Sequence, residues 1–291
     1  MDEAVIMYSN DVELKNVQKV VLEMSKYFVE FCNENGLVCY FCGGGCIGSI
    51  RHQGFIPWDD DLDFFMPRQD YEKLKILWNK HANKDRYPLL FASLDYNDHN
   101  SFMTIRDTET TFVKTYQENM DIPHGIPIDI FPLDGAPESR YKQKIQKIWA
   151  LIYALFCSQV VPEKHGGLLA TGSRVLLNIF SSKKARYKIW RFAEKQMSKY
   201  PFGSTKYVTE LCVGPKYMGN IYKLDDFKSA VFVPFEDVKM PIPIGYDRYL
   251  KQVFGEYMEL PPIEDRQPQH EAVVLDTKVS YKKRHNKNKE N

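Results

Sequence analysis

A chain of 291 residues that is 44% apolar and 26% charged has room for one large or two ordinary domains and excludes a disordered or fibrous protein. Its net charge of +1 exerts no global pull on a polyanion, so no nucleic-acid partner is expected. The opening MDEAVIMYSND lacks the basic and apolar regions of a secretory signal, so the six cysteines read as reduced thiols of a cytoplasmic protein.

Leu14, Val17, Val20, Val21, Met24, Phe28 and Phe31 recur at helical spacing and predict an amphipathic helix over 10–33, with Ser9 or Asn10 as cap and Asn35-Gly36 as stop. Leu37 to Phe41 is short, apolar and β-prone, and it delivers the chain into Gly43-Gly44-Gly45-Cys46-Ile47-Gly48. A short helix from Ile47 to His52 follows, because Gly54 and Pro57 leave no room for a longer one. Strands are expected at Ile56–Met66, once or twice within 89–112, and at Ile126–Phe131, with a helix over Tyr71–His81.

From Pro137 to Lys199 the pattern turns helical, and Ile145, Ile148, Trp149, Ile152, Leu155 and Phe156 form the expected inward face of its first segment. The longest apolar run, Ile148 to Val161, contains Ser158 and Gln159 and falls short of the ~20 residues that cross a bilayer. Residues 206–211 and 230–243 are β-like, and Tyr246–Tyr257 reads as a final helix with Tyr249, Leu250, Val253 and Phe254 inward. The expectation is an α/β (α+β) core of mixed sheet and flanking helices over 1–135, a mostly helical second lobe over 136–275, and a basic, disordered tail over 276–291.

The chemistry concentrates in Pro57-Trp58-Asp59-Asp60-Asp61-Leu62-Asp63-Phe64. On a strand, the period of two puts Asp59, Asp61 and Asp63 on one face, each about 7 Å from the next along the strand, and Asp60 on the other. Carboxylates so placed can share a hard cation, Mg²⁺ or Mn²⁺; the competing reading is a solvated acidic run, which the flanking Phe64, Phe65 and Met66 disfavour. Asp129, alone between Ile128 and Ile130, is a third carboxylate for the same site, or else caps a turn with Pro132 and Asp134. An EF-hand does not fit, since Phe64 stands where its loop needs glycine, and Cys39, Cys42 and Cys46 lack the fourth ligand of a zinc site.

Gly43 to Gly48 matches the dinucleotide fingerprint, but Gly54 and Pro57 interrupt the crossover helix that a Rossmann unit requires. What Gly43, Gly44 and Gly48 offer is backbone N–H groups at a helix start, suited to phosphate oxygens, with Arg51 one turn on as an added cation; the alternative is a tight turn and nothing more.

The string Gly43 to Asp63, continued by Met66-Pro67-Arg68-Gln69-Asp70-Tyr71, resembles the signature of the LicD family, of which fukutin and fukutin-related protein are distant relatives. Ile128 to Asp134, Phe254-Gly255-Glu256-Tyr257-Met258 and Leu260-Pro261-Pro262 extend the resemblance over roughly residues 15–270. Gly45 and Cys46 depart from the hydroxyl residue and leucine common there, and 138–199 has no matching feature. The resemblance implies a nucleotidyltransferase-like fold and transfer of a phospho-substituent, phosphocholine or a phospho-alditol, from a CDP-linked donor to a hydroxyl of a glycan or lipid-linked glycan acceptor. It places Asp61 and Asp63 on the family's metal pair, Asp129 on its third carboxylate, and Gly43 and Gly44 on its glycine turn, with Asp59 as a further candidate ligand. A metal-dependent nucleotide-sugar glycosyltransferase and a non-catalytic nucleotide or glycan binding module are the rival expectations. Basic residues over 174–199, with Trp190 and Phe192, suggest either peripheral contact with the inner face of a membrane or an ordinary solvated helix.

Overall fold

In the computed structural model of the chain, which describes residues 11–161, 167–268 and 272–283, the first element is the helix α1, Asp11–Glu34. Leu14, Val17, Val21, Met24, Phe28 and Phe31 are buried along one face of it, as their spacing predicts. Gly36, at φ +63°, turns the chain out of the helix, and the N–H of Leu37 donates to the carbonyl of Cys32. The cap expected at Ser9 or Asn10 lies outside the described residues.

The centre is a mixed sheet whose main path runs β1 (Tyr40–Cys42), β2 (Asp63–Pro67), β6 (Ile126–Ala136), β4 (Met103–Asp107) and β3 (Leu89–Leu90). β2 and β6 are parallel and the other neighbours antiparallel. β6 is long enough to serve two partners on one edge: residues 126–130 pair with β4, and 133–136 pair with β7 (Tyr207–Glu210), which carries β8 (Ile221–Lys223). The sheet therefore draws strands from both sides of residue 135. Two smaller ladders flank it, β5 (Thr111–Lys114) with β11 (Ala272–Asp276), and the hairpin of β9 (Ala230–Phe235) and β10 (Val238–Pro243).

The helices α2 (Gly43–Arg51), α3 (Arg68–His81) and α7 (Tyr246–Phe254) join α1 around this sheet. Phe28, Phe41, Phe64, Trp78 and Phe235 interlock in the resulting core, with ring centroids 4.7 to 6.1 Å apart along the contacts from Phe28 to Trp78, Phe28 to Phe64, Phe64 to Phe41 and Phe41 to Phe235. Tyr249 and Leu250 of α7 are buried, but Phe254 is exposed, because Gly255 at φ +67° ends the helix there.

A second apolar cluster sits among α4 (Arg140–Ser158), α5 (Gly167–Ile179) and α6 (Lys183–Met197). Here the expected inward face of α4 is corrected. Gln146, Ala150, Tyr153, Phe156 and Cys157 are buried, whereas Ile145 and Ile148 point outward. The packed face is chosen by polar anchors that periodicity cannot see: the Gln146 amide donates to the carbonyls of Gly135 and Met197, and the Tyr153 hydroxyl to that of Ser101.

Part of the expected tail is also built in. Asp276 ends the ladder with β5 by pairing with Thr111, Ser280 is buried and donates to the carbonyl of Thr108, and residues 284–291 lie outside the described residues. All six cysteines are buried and unpaired with one another. Among the described residues no helix is long and apolar enough to cross a membrane.

Candidate active site

Four strands bring one residue each into a single register row. Cys42 of β1 pairs with Asp63 of β2, Asp63 with Asp129 of β6, and Asp129 with Thr104 of β4. Adjacent strands lie about 4.8 Å apart and register partners present their side chains to the same face, so Asp63 and Asp129 stand side by side. The chain leaves β1 at Cys42 and enters α2 at the next residue, which puts the glycine helix start beside that same row.

The acidic run differs from its expected form. β2 begins only at Asp63, because β1 ends at Cys42 and offers no partner for residues 59–62. Freed from the alternation of a strand, Asp60 does not turn away from its neighbours. Asp59, Asp60 and Asp61 present carboxylate oxygens all within 4.8 Å of one another, and Asp60, Asp61, Asp63 and Asp129 line one small cleft with Val17, Phe112, Ile126 and Pro127. The predicted trio of Asp61, Asp63 and Asp129 thus shares a cleft, while the tightest donor cluster is 59, 60 and 61. The loop is held by α1, whose Gln18 amide donates to the carbonyl of Asp59 at 2.8 Å.

The electrostatics follow from crowding like charges against a core. Burial pushes the Asp63 carboxyl well above its ordinary range, the charges of Asp61, Asp129 and Asp59 push it further, and Lys114 on β5 pulls it partly back. Burial likewise raises Asp59, followed by the charges of Asp61 and Asp60 and by a hydrogen bond shared with Asp61. An all-oxygen donor set whose members resist ionisation together suits a hard divalent cation, Mg²⁺ or Mn²⁺, which would neutralise it.

The glycines start a helix instead of forming a separate turn before it. Gly43, at φ +51°, adopts the left-handed region that favours glycine, and its N–H donates to the Tyr249 hydroxyl at 3.0 Å. Gly44 must be glycine for another reason: a Cβ there would collide with the Asp59 carboxylate, which is packed against the first turn of α2. That contact sets the acidic run against the positive end of a helix.

Gly48, expected to bind phosphate, lies buried within α2 against the backbone carbonyl of Gly54, which makes it a packing residue. Gly48→Ala should destabilise the fold by about 2–3 kcal/mol, since a backbone atom and not a side-chain tip must move. Urea unfolding measures this; an unchanged midpoint would show that the 48–54 contact is slack.

Arg51 is tied away from the helix start. Its Nη1 donates to the carbonyls of Tyr257 and Glu259, at 2.6 and 2.9 Å. It still feels the charges of Asp59 and of Arg266, whose guanidinium lies 5.6 Å over the Trp58 ring. Arg51 therefore lies near Asp59, and Arg266 covers the residue before it, Trp58. Sequence reading missed Asp60, Lys114 and Arg266; only Asp60 carried a local signal, as a member of the run, because β5 and the segment after α7 reach the site through tertiary packing alone.

The chain is similar to known proteins. A profile described as LicD/FKTN/FKRP, nucleotidyltransferase domain, matches residues 36–156, a span that contains α2, the acidic run and Asp129. The chain is also 31% identical over 278 residues to the lipopolysaccharide cholinephosphotransferase LicD of Haemophilus influenzae, covering 90% of this chain and 98% of that protein.

Proposed function

The chain belongs to the LicD family and is a transferase of that type, and from this premise we propose that it moves phosphocholine from a CDP-linked donor to a hydroxyl of a lipopolysaccharide-type glycan, releasing CMP. The observation that carries the reading is the register row in which Cys42, the last residue before α2, is followed across the sheet by Asp63 and then Asp129.

In this account Asp61 and Asp63, with Asp129 or Asp59, would hold a divalent ion. When bound, that ion would supply positive charge to the phosphate oxygens and to the departing CMP. The first turn of α2 beyond Gly43, whose own N–H is taken by Tyr249, orients the donor diphosphate through its N–H groups, with the Arg51 charge nearby. The acceptor oxygen bonds to the choline-bearing phosphorus as the bond from that phosphorus to the bridging oxygen breaks, and CMP leaves with the bridging oxygen. The hydroxyl proton passes to a carboxylate of the cleft, a role we assign to Asp129.

The test is product analysis with CDP-choline, CDP-glycerol and CDP-ribitol, Mg²⁺ and lipopolysaccharide. CMP release from CDP-choline, accelerated by the acceptor and accompanied by a new phosphodiester, is the expected result. Release of a nucleoside diphosphate from a nucleotide sugar would favour glycosyl transfer instead, and binding without turnover would favour a binding module.

A further inference from the structure

The net charge of +1 conceals two opposed halves. Residues 140–199 carry 13 Lys and Arg against two Glu, while the other 231 residues carry 26 against 36, so a lobe of +11 is joined to a remainder of −10. Almost all of that positive charge sits on α4, α5 and α6.

The same lobe exposes aliphatic side chains in an ordered way. On α4, Ile145 and Ile148 are 36% and 55% exposed and Leu151 is 40% exposed, on the side opposite the buried Ala150, Tyr153 and Cys157. Ile152 and Leu155, half-buried at the margin of that side, pack instead against the cluster beneath. The helix is thus apolar on two faces, and only one of them is covered. α5 contributes Ile179, 66% exposed, and α6 contributes Phe192, 54% exposed, whose ring meets Trp149 of α4 edge-on at 5.4 Å. Lys144 falls within the exposed stripe of α4, and Lys142 and Lys147 flank it.

We propose that this face of the helical lobe docks on an anionic lipid bilayer, with the α4 aliphatic residues entering the interface and the surrounding lysines and arginines meeting phosphate headgroups. Charge complementarity selects this occupant. A second copy docked by the same face would set +11 against +11, one docked by its acidic remainder would bring charge without an apolar layer, and a soluble polyanion would likewise leave the aliphatic stripe in water. Lysines beside aliphatic residues, with stems long enough to lie along them, match the composition of helices that rest in a headgroup layer. The inference stands on exposure and charge alone and does not depend on the catalytic reading.

Flotation of the full chain with vesicles tests it. Vesicles of phosphatidylcholine with about one third phosphatidylglycerol should carry the protein upward, vesicles of phosphatidylcholine alone should not, and about 0.5 M salt should release it, since screening shortens to a few ångströms. Ile145→Glu with Ile148→Glu should lower the bound fraction about tenfold, because two charges then enter the apolar layer. Both positions are exposed, so the melting temperature and CMP release with a water-soluble acceptor should not change. Equal binding to both vesicle types, no binding to either, or undiminished flotation of the double variant would overturn the proposal. So would a dimer in sedimentation that the double variant abolishes, or capture of an acidic protein that displaces the chain from vesicles through these residues. Flotation that fails while CMP release persists removes the docking face alone; the converse removes the catalytic assignment alone.

Discussion

Asp63→Asn should reduce transfer by on the order of a thousandfold and, in the absence of metal, make the protein more stable than the wild type. Both effects have one cause. The Asp63 carboxyl is held well above its ordinary range by burial and by Asp61, Asp129 and Asp59, so the native state binds a proton there that the unfolded chain has already lost. Stability from this group is therefore greatest at acid pH and declines as pH rises from about 4 through its raised native value. As pH rises the wild type bears the cost either of ionising this carboxyl or of holding its proton, and the neutral amide removes that cost. A gain on the order of 1–3 kcal/mol, or several degrees in Tm, is expected for the metal-free variant at pH 8, shrinking toward pH 4. Added Mg²⁺ should raise the wild-type Tm and leave the variant nearly unmoved. Thermal melts across pH, with and without Mg²⁺, measure this. A variant less stable than wild type throughout would mean that Asp63 is a structural anchor.

Arg68→Ala is expected to be the most damaging single change to the fold, costing about 3–5 kcal/mol. Arg68 opens α3 and grips Asp134 of β6 with two hydrogen bonds, Nε to Oδ1 at 2.8 Å and Nη2 to Oδ2 at 2.7 Å. Its Nη1 lies 3.6 Å from Glu194 of α6, so one guanidinium joins the sheet to the helical lobe. Asp134 is fully buried; burial raises its carboxyl and the Arg68 charge pulls it back down, leaving it somewhat above its ordinary value. Without Arg68 that restraint is gone and the carboxyl rises further, so the deficit should widen as pH increases above about 4. Because β6 carries Asp129 as well as Asp134, loss of activity should accompany loss of stability. The pair variant Arg68→Met with Asp134→Leu should recover much of the Tm, since two apolar groups leave no unpaired charge. If Arg68→Ala instead melts like the wild type, the three-way junction is not what holds the lobes together.

The parts legible in the sequence are those fixed by neighbours along the chain. The buried stripe of α1, the glycines beside an acidic run and a lone Asp129 between isoleucines are all local patterns, and the structure brings Asp61, Asp63 and Asp129 to one cleft. What escaped depends on partners distant in sequence. Residues 59–62 look like the start of a strand, yet a strand needs a neighbour, and β1 stops opposite Asp63. Hence Asp60 joins the cluster it was expected to face away from. On α4 the period placed Phe156, and in part Trp149, Ile152 and Leu155, on the inner cluster as they are, but it turned Ile145 and Ile148 inward too, because two of the side chains that take the inner face, Gln146 and Tyr153, are there for hydrogen bonds to Gly135, Met197 and Ser101. Arg51 has the right spacing for a phosphate ligand, but the carbonyls of Tyr257 and Glu259, two hundred residues away, set its direction.

The central assertion is that the aspartates of one cleft act together as the ligands of a divalent cation next to the opening turn of α2. Electron paramagnetic resonance of Mn²⁺ titrated into the protein with CDP-choline tests it most directly. Loss of the free-ion signal at one equivalent with the wild type, and its persistence with Asp61→Asn and Asp63→Asn, is the predicted result; a free-ion signal unaffected by the wild-type protein, or reduced equally by both variants, would contradict it.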